Sequence, residues 1–322
     1  VRVAAPRRPG DGLPEGPLRR VEDRLGSTVA AARGVAADAG AQTLAAGGKR
    51  LRPVLTLLSA PAERRADDDV AAAAAAVELV HMASLVHDDV LDAAPLRRGA
   101  RTVWATRGSG IATAAGDYLY ARAFAELAST GDPIAVRILA SACVDLARGE
   151  SMQVAQTRRT DTSIEASMER CRLKTGRLFA AACALGARLG GLDDADVAAV
   201  ERFGADLGLA FQLADDALDC DGDPTRTGKV LGTDLLDGTM TVPLILAARR
   251  DDEVAGAIER GIRPPDVLPI LARVVDTGAV TETRARAVEF GEFAERELAA
   301  CSGGVDVSAL RQVLDRAVAR DA

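Results

Sequence analysis

Asp88, Asp89 and Asp92 close an apolar, helix-forming run in Leu85-Val86-His87-Asp88-Asp89-Val90-Leu91-Asp92, and the same D-D-x-x-D spacing returns at Asp215-Asp216-Ala217-Leu218-Asp219. On a helix of about 3.6 residues per turn, the first and last acid of each set lie about 40° apart, with the middle one inside the same arc of about 100°. Each helix therefore carries a three-carboxylate face. Unneutralised acids at these spacings repel by about 0.2 to 0.5 kcal/mol per pair, so a helix that needed only solubility would interleave Lys or Arg. Both sets also fall near expected helix C-termini, where each acid opposes the macrodipole by roughly 0.3 to 1 kcal/mol. Something cationic belongs there. Oxygen donors suit Mg²⁺, a hard ion that binds through few carboxylates, several waters and a substrate's phosphates. One such motif alone is usually a solvated face; its repetition, with basic residues behind each copy, points to a metal and phosphate site.

Those basic residues are Lys49 and Arg52 at a helix start, Arg97 and Arg98 just past the first acidic set, Lys174 in Lys174-Thr175-Gly176, and Lys229 after the second set. Arg offers a planar fork to phosphate oxygens and Lys a point charge. Singly each reads as surface charge; their joint placement is what counts. His81 lies two turns before Asp88 and about 20° off its azimuth, where a ligand and a satisfied core histidine are equally consistent with spacing. The pair His87-Asp88 invites comparison with HD-type phosphohydrolases, but such sites need further histidines and the chain holds only His81 and His87.

The elements that must position these residues read as helices. Alanine blocks such as Ala71 to Ala76 recur, and strand formers seldom alternate. Residues Val1 to Pro17, with four prolines, several glycines and arginines, read as a disordered tail. Two amphipathic helices are expected from Leu18 to Ala46, stopped by Gly47-Gly48, and a third from Lys49 to about Ala60. Asp67, Asp68 or Asp69 is placed to cap the helix of the first acidic set, which Pro95 ends. After a loop holding Arg97-Arg98-Gly99, helices are expected over about 111–129, 133–156, 163–190 and 193–219, with shorter ones after Pro243 and a break at Gly303-Gly304. The 322 residues carry a net charge of −7 without a basic stripe, which argues against nucleic acid as a partner. Five scattered cysteines without a CxxC spacing fit a reducing cytoplasm, and no apolar run of about 18 residues is free of charges or breaks.

Taken together, Gly47-Gly48-Lys49-Arg50-Leu51-Arg52-Pro53, both aspartate motifs, Arg97-Arg98-Gly99, Lys174-Thr175-Gly176, Phe211-Gln212 and Gly228-Lys229 resemble the trans-isoprenyl diphosphate synthases, the polyprenyl synthetase family, from about Leu18 to Pro243. The resemblance implies a single-domain, all-α helical bundle around a deep central cavity, the type I isoprenoid synthase fold, with the catalytic domain over 18–322. It also implies Mg²⁺, a homodimer, and 1'-4 all-trans condensation of isopentenyl diphosphate with an allylic diphosphate. Mapped by motif, Asp88, Asp89, Asp92, Asp215, Asp216 and Asp219 hold the ions that clamp the allylic diphosphate, with Arg97, Lys174 and Lys229 beside it. By the same resemblance Lys49, Arg52, His81 and Arg98 would bind isopentenyl diphosphate, and Thr175 and Gln212 match positions that face the developing allylic cation. Many members of the resembled family carry a basic residue after the glycine where this chain has Thr239, a departure that bears on one phosphate contact and leaves the metal ligands intact.

In the resembled family, bulky aromatics one turn below the first acidic set floor the cavity. Here Ala83 and Ser84 are small, and Val80, Val77 and Ala76 continue without an aromatic. A long-chain product is therefore expected, with transient membrane contact at its release; Tyr118, Tyr120 and Phe124 are candidate floors from another helix. A synthase making geranylgeranyl diphosphate is the nearest rival. A terpene cyclase fits less well, because aromatics are 3% of the chain. A non-catalytic regulatory subunit would have lost its acids, and this chain keeps both sets.

Overall fold

A computed structural model describes residues 15–222 and 231–318. In chain order the helices are α1 (Glu15–Ala30), α2 (Val35–Ala45), α3 (Leu51–Ser59), α4 (Asp68–Leu91), α5 (Val103–Arg107), α6 (Ser109–Ala128), α7 (Pro133–Gln156) and α8 (Ile164–Cys171). A π-helical turn, Arg172–Gly176, joins α8 to α9 (Arg177–Leu189). Then come α10 (Asp194–Asp221), α11 (Thr233–Asp237), α12 (Val242–Ala248), α13 (Asp252–Arg260), α14 (Val267–Asp276), α15 (Ala279–Ala299) and α16 (Val307–Val318). The expected all-α class holds. Among the described residues the strands are a two-residue hairpin, β1 (Leu96–Arg97) and β2 (Ala100–Arg101), in the segment read as a loop. The helix α1 begins at Glu15, so the expected tail to Pro17 runs too far by residues 15–17; residues 1–14 lie outside the described residues.

The described residues divide into two compact units, one within residues 15–141, 181–201 and 301–310, the other within residues 142–180, 202–222, 231–300 and 311–318. In the first, α4 lies against α1, α3 and α6. Its residues from Val70 to Val80 are all buried, so a helix long and apolar enough to cross a membrane is here a core element. The cap expected from Asp67 is not made by its side chain, which pairs with Arg64 instead. The helix ends before Pro95 in a Schellman arrangement: Ala94 N–H donates to Asp89 O at 3.0 Å, and Ala93 takes a left-handed φ of 48° without being glycine. Helices α3 and α9 approach so closely that a Cβ on Gly186 would stand 1.9 Å from the Thr56 carbonyl oxygen.

In the second unit, α12 is buried along its whole length and packs against α8, α13, α14 and α15. Leu213, Leu244, Ile245 and Leu271 belong to the same apolar core. Gly208 of α10 meets Gly176 of the π turn, where an added Cβ would come within 2.8 Å of Gly176 Cα. Phe179 and Phe211 stack beside that crossing at 5.4 Å between centroids.

Two glycine substitutions should separate close approach from helix propensity. Gly186→Ala is expected to destabilise the chain by about 1 to 3 kcal/mol through overpacking. Gly26→Ala in α1, with nothing within 4 Å of the added methyl, should stabilise it by about 0.5 to 1 kcal/mol. Urea unfolding midpoints of the two variants should therefore move in opposite directions.

Candidate active site

The first unit gathers a basic cluster at the start of α3 and the end of α4. Arg50 is the N-cap of α3 with a left-handed φ of 51°, a strained conformation for a residue with a side chain. Its guanidinium is anchored on both sides: Nε donates to Glu22 Oε1 at 2.7 Å and Nη1 to Glu78 Oε1 at 2.9 Å. Glu78, 2% exposed on α4, is the buried counter-charge of the cluster. The hairpin brings in two more arginines. Leu96 pairs with Arg101 and Arg97 with Ala100, so Arg98 and Gly99 form a two-residue turn with φ of 53° and 77°, the mirror-image turn that matches strand twist. Arg98 reaches from it to donate to the Gly47 carbonyl.

These arginines repel one another where water is scarce. Burial, with Arg98 adding to it, pushes Arg52 down to about 10 against the pull of Glu78. Burial likewise lowers Arg98, with Arg50 and Arg97 adding to the effect. His81 is held well below the usual histidine range by burial and then by Arg52, Arg98, Arg97 and Arg50. A neutral imidazole beside crowded guanidiniums is a donor set for an anion. His81, Arg97 and Arg98 line a cleft of about 480 Å³, counted to its open mouth, whose apolar wall includes Met82, Leu85 and Val103. Lys49 lies exposed in the loop before α3.

Of the first acidic set, Asp88 is half-buried, Asp89 buried and Asp92 exposed as the C-cap of α4. Arg97 Nε donates to Asp89 Oδ1 at 2.7 Å. Burial nonetheless raises Asp89 above the usual carboxylate range, with Asp88 and Asp92 adding to it against Arg97. Ala83 is fully buried one turn before this set, and the Ser84 hydroxyl donates to His81 O at 2.9 Å.

In the second unit the π turn and α10 build a polar relay. Thr175 Oγ1 donates to Gln212 Oε1 at 2.8 Å, and Gln212 Nε2 donates to Asp216 Oδ1 at 2.8 Å. Asp216 is 2% exposed, and its Oδ2 has no hydrogen-bond partner among the described residues. Burial pushes it up to about 7, with Asp215 and Asp219 adding to the shift against Gln212 and Arg170. Asp219, near the end of α10, accepts the Thr233 N–H at 3.1 Å and the Asp234 N–H at 3.0 Å. Lys174 Nζ is 2.8 Å from Glu150 Oε1 and 3.2 Å from Gln153 Oε1. Lys229 lies outside the described residues.

Sequence reasoning missed four members of these clusters. Asp234 is a fourth acid beside Asp215, Asp216 and Asp219, held well above the usual range by burial and by those three. Arg170, 3% exposed, is their counter-charge and bonds the Met240 carbonyl at 2.8 Å. Glu78 and Glu150 each neutralise a predicted cation or its neighbour. Only Glu78 had a sequence signal: an acid in an otherwise apolar stretch.

Among the described residues no three His, Cys, Asp or Glu side chains converge into a metal cage. The donors nevertheless fit a hard ion, because all are carboxylates and Asp216 carries a buried oxygen without a partner. Such an ion takes most of its remaining ligands from water and phosphate.

The polyprenyl synthetase family model matches residues 35–264. The chain is 41% identical over 241 residues to heptaprenyl diphosphate synthase component 2 of Geobacillus stearothermophilus, covering 75% of each. It is 35% identical to a geranylgeranyl pyrophosphate synthase of Geoglobus acetivorans, over 86% of this chain and 88% of that one. The solved polyprenyl synthase of Caulobacter crescentus CB15, complexed with calcium and isoprenyl diphosphate, gives a TM-score of 0.85 at 35% identity over 97% of this chain and 96% of that one. With a match to the family model over more than half its length and relatives similar along most of theirs, the chain belongs to the polyprenyl synthetase family, the prenyltransferases that condense isopentenyl diphosphate with an allylic diphosphate.

Proposed function

We propose that this chain is a Mg²⁺-dependent synthase of long-chain, all-trans polyprenyl diphosphates. The observation that carries the reading is the cleft lined by His81, Arg97 and Arg98, with Arg52 and Arg50 near enough to act on His81 as well, an excess of positive charge that a diphosphate would relieve. Lys49, Arg52, His81 and Arg98 would hold the diphosphate of isopentenyl diphosphate, with the apolar wall of the cleft beside its hydrocarbon end. Arg97, Lys174 and Lys229 would bind the allylic diphosphate. Asp88, Asp89, Asp92, Asp215, Asp216 and Asp219 would hold Mg²⁺, which when bound stabilises the negative charge that the departing diphosphate gains.

The chain's own groups then do three things. Pre-placed cations stabilise the leaving diphosphate as the C–O bond breaks. The oxygens of Thr175 and Gln212, fixed against each other at 2.8 Å, turn their dipoles to the allylic cation. Exclusion of water keeps that cation from being quenched. Thr239 leaves its position without a cation. Support for a long product comes from the small side chains of Ala83 and Ser84 on buried α4. The buried thiols of Cys171, Cys183 and Cys220 suit a reducing cytoplasm. Val144 and Val154, 61% and 65% exposed on α7, suit cover by a second copy in a homodimer.

Three measurements test this reading. Purified alone, with Mg²⁺, farnesyl diphosphate and labelled isopentenyl diphosphate, the chain should make products longer than geranylgeranyl diphosphate, and a chelator should abolish them. Ala83→Phe or Ser84→Phe should shorten them by mass analysis. Because the heptaprenyl relative is named component 2, activity of the chain alone also decides whether it needs a companion. Arg98→Ala should raise KM for isopentenyl diphosphate about 10- to 100-fold, the size of one lost charge-assisted contact, and leave KM for the allylic substrate nearly unchanged.

His81 should stay neutral by NMR as pH falls from 8 through about 6.5, the ordinary histidine midpoint. In that window and below it the unfolded chain takes a proton that folded His81 refuses, so this group makes the fold less stable as pH drops. Isopentenyl diphosphate should raise the His81 midpoint.

A further inference from the structure

The π turn Arg172–Gly176 inserts one extra residue into the helical path and so presents successive side chains in different directions. Thr175 bonds Gln212 on α10, whereas Lys174 turns to α7. The turn lies tight against α7 because residue 149 is glycine: a Cβ there would stand 2.9 Å from Lys174 N and 3.1 Å from Lys174 Cβ. That approach brings the next residue, Glu150, within reach of the lysine. Its two oxygens stand 2.8 and 2.9 Å from Lys174 Nζ. Gln153, one helical turn on, accepts from the same ammonium at 3.2 Å.

A lysine is a point charge on a four-carbon stem, and without fixed partners its position is spread over many rotamers. Side-chain exposures of 25% for Lys174 and 17% for Glu150 leave the pair screened from bulk water yet open on one side. We propose that Glu150, with Gln153, is a positioning residue that aims the Lys174 ammonium before the allylic diphosphate arrives. Glu150 touches no reacting atom; it acts through Lys174. The proposal rests on the reading of Lys174 as a diphosphate-binding residue.

Steady-state kinetics of the full-length Lys174→Gln, Glu150→Gln and Glu150→Gln/Gln153→Glu variants test it. Glu150→Gln should raise KM for the allylic diphosphate about tenfold, the size of one charge-assisted hydrogen bond. kcat at saturation should stay within about threefold and KM for isopentenyl diphosphate should not move. Adding Gln153→Glu returns a carboxylate to the other partner of the same ammonium and should restore most of the loss, a rescue that a packing role would not produce. A Glu150→Gln variant with unchanged allylic KM, or one that Gln153→Glu fails to rescue, overturns the positioning role, provided that Lys174→Gln raises that KM. If Lys174→Gln leaves it unchanged, the assignment of Lys174 itself falls, and the proposal with it.

Discussion

Four guanidiniums, of Arg50, Arg52, Arg97 and Arg98, act on one another and on His81 with Glu78 as their buried counter-charge. Like charges drawn from water repel more strongly than they would at the surface, so the fold must hold them there by other means. The means are visible. Glu22 and Glu78 clamp Arg50 from two helices, and the hairpin turn is set by its backbone rather than by its charges. Breaking a buried pair of this kind leaves an uncompensated charge, which is why such pairs constrain geometry even where they add little net stability.

The second unit meets the same constraint with the sign reversed. Asp215, Asp216, Asp219 and Asp234 act on one another, and Arg170 opposes them from a buried position. Two local devices make the crowding tolerable. Backbone N–H groups of Thr233 and Asp234 bond Asp219, and Gln212 takes one oxygen of Asp216. The other oxygen of Asp216 has no such relief among the described residues. Crowded, buried carboxylates with raised affinity for protons are a feature that clusters at functional sites.

Close backbone approach supplies the rest. Gly149 admits the π turn to α7, Gly208 and Gly176 let α10 cross it, and Gly186 lets α9 meet α3. Within the second unit, contacts of this closeness leave the turn between them little freedom, and Lys174 and Thr175 inherit that rigidity.

The helices and the two acidic faces were legible in the chain itself, because carboxylates three and four residues apart share a helix face whatever surrounds them. So were Arg97 and Arg98 as basic residues just past the first acidic set, whereas spacing left His81 open between a ligand and a core histidine, and the fold set it beside them. Other features depended on partners far away in sequence. Pro95 marked the end of α4, but the left-handed turn at Ala93 that closes it has no glycine to announce it. The π turn has no composition of its own, and it is packed by residues more than twenty positions distant. Asp234 and Glu150 lie in ordinary polar patterns and gain meaning only from the charges that folding brings beside them. Local spacing determines which side chains share a face; only tertiary packing decides which face each meets and how far from water it sits, and the charge state of a carboxylate, histidine or arginine follows from those two quantities.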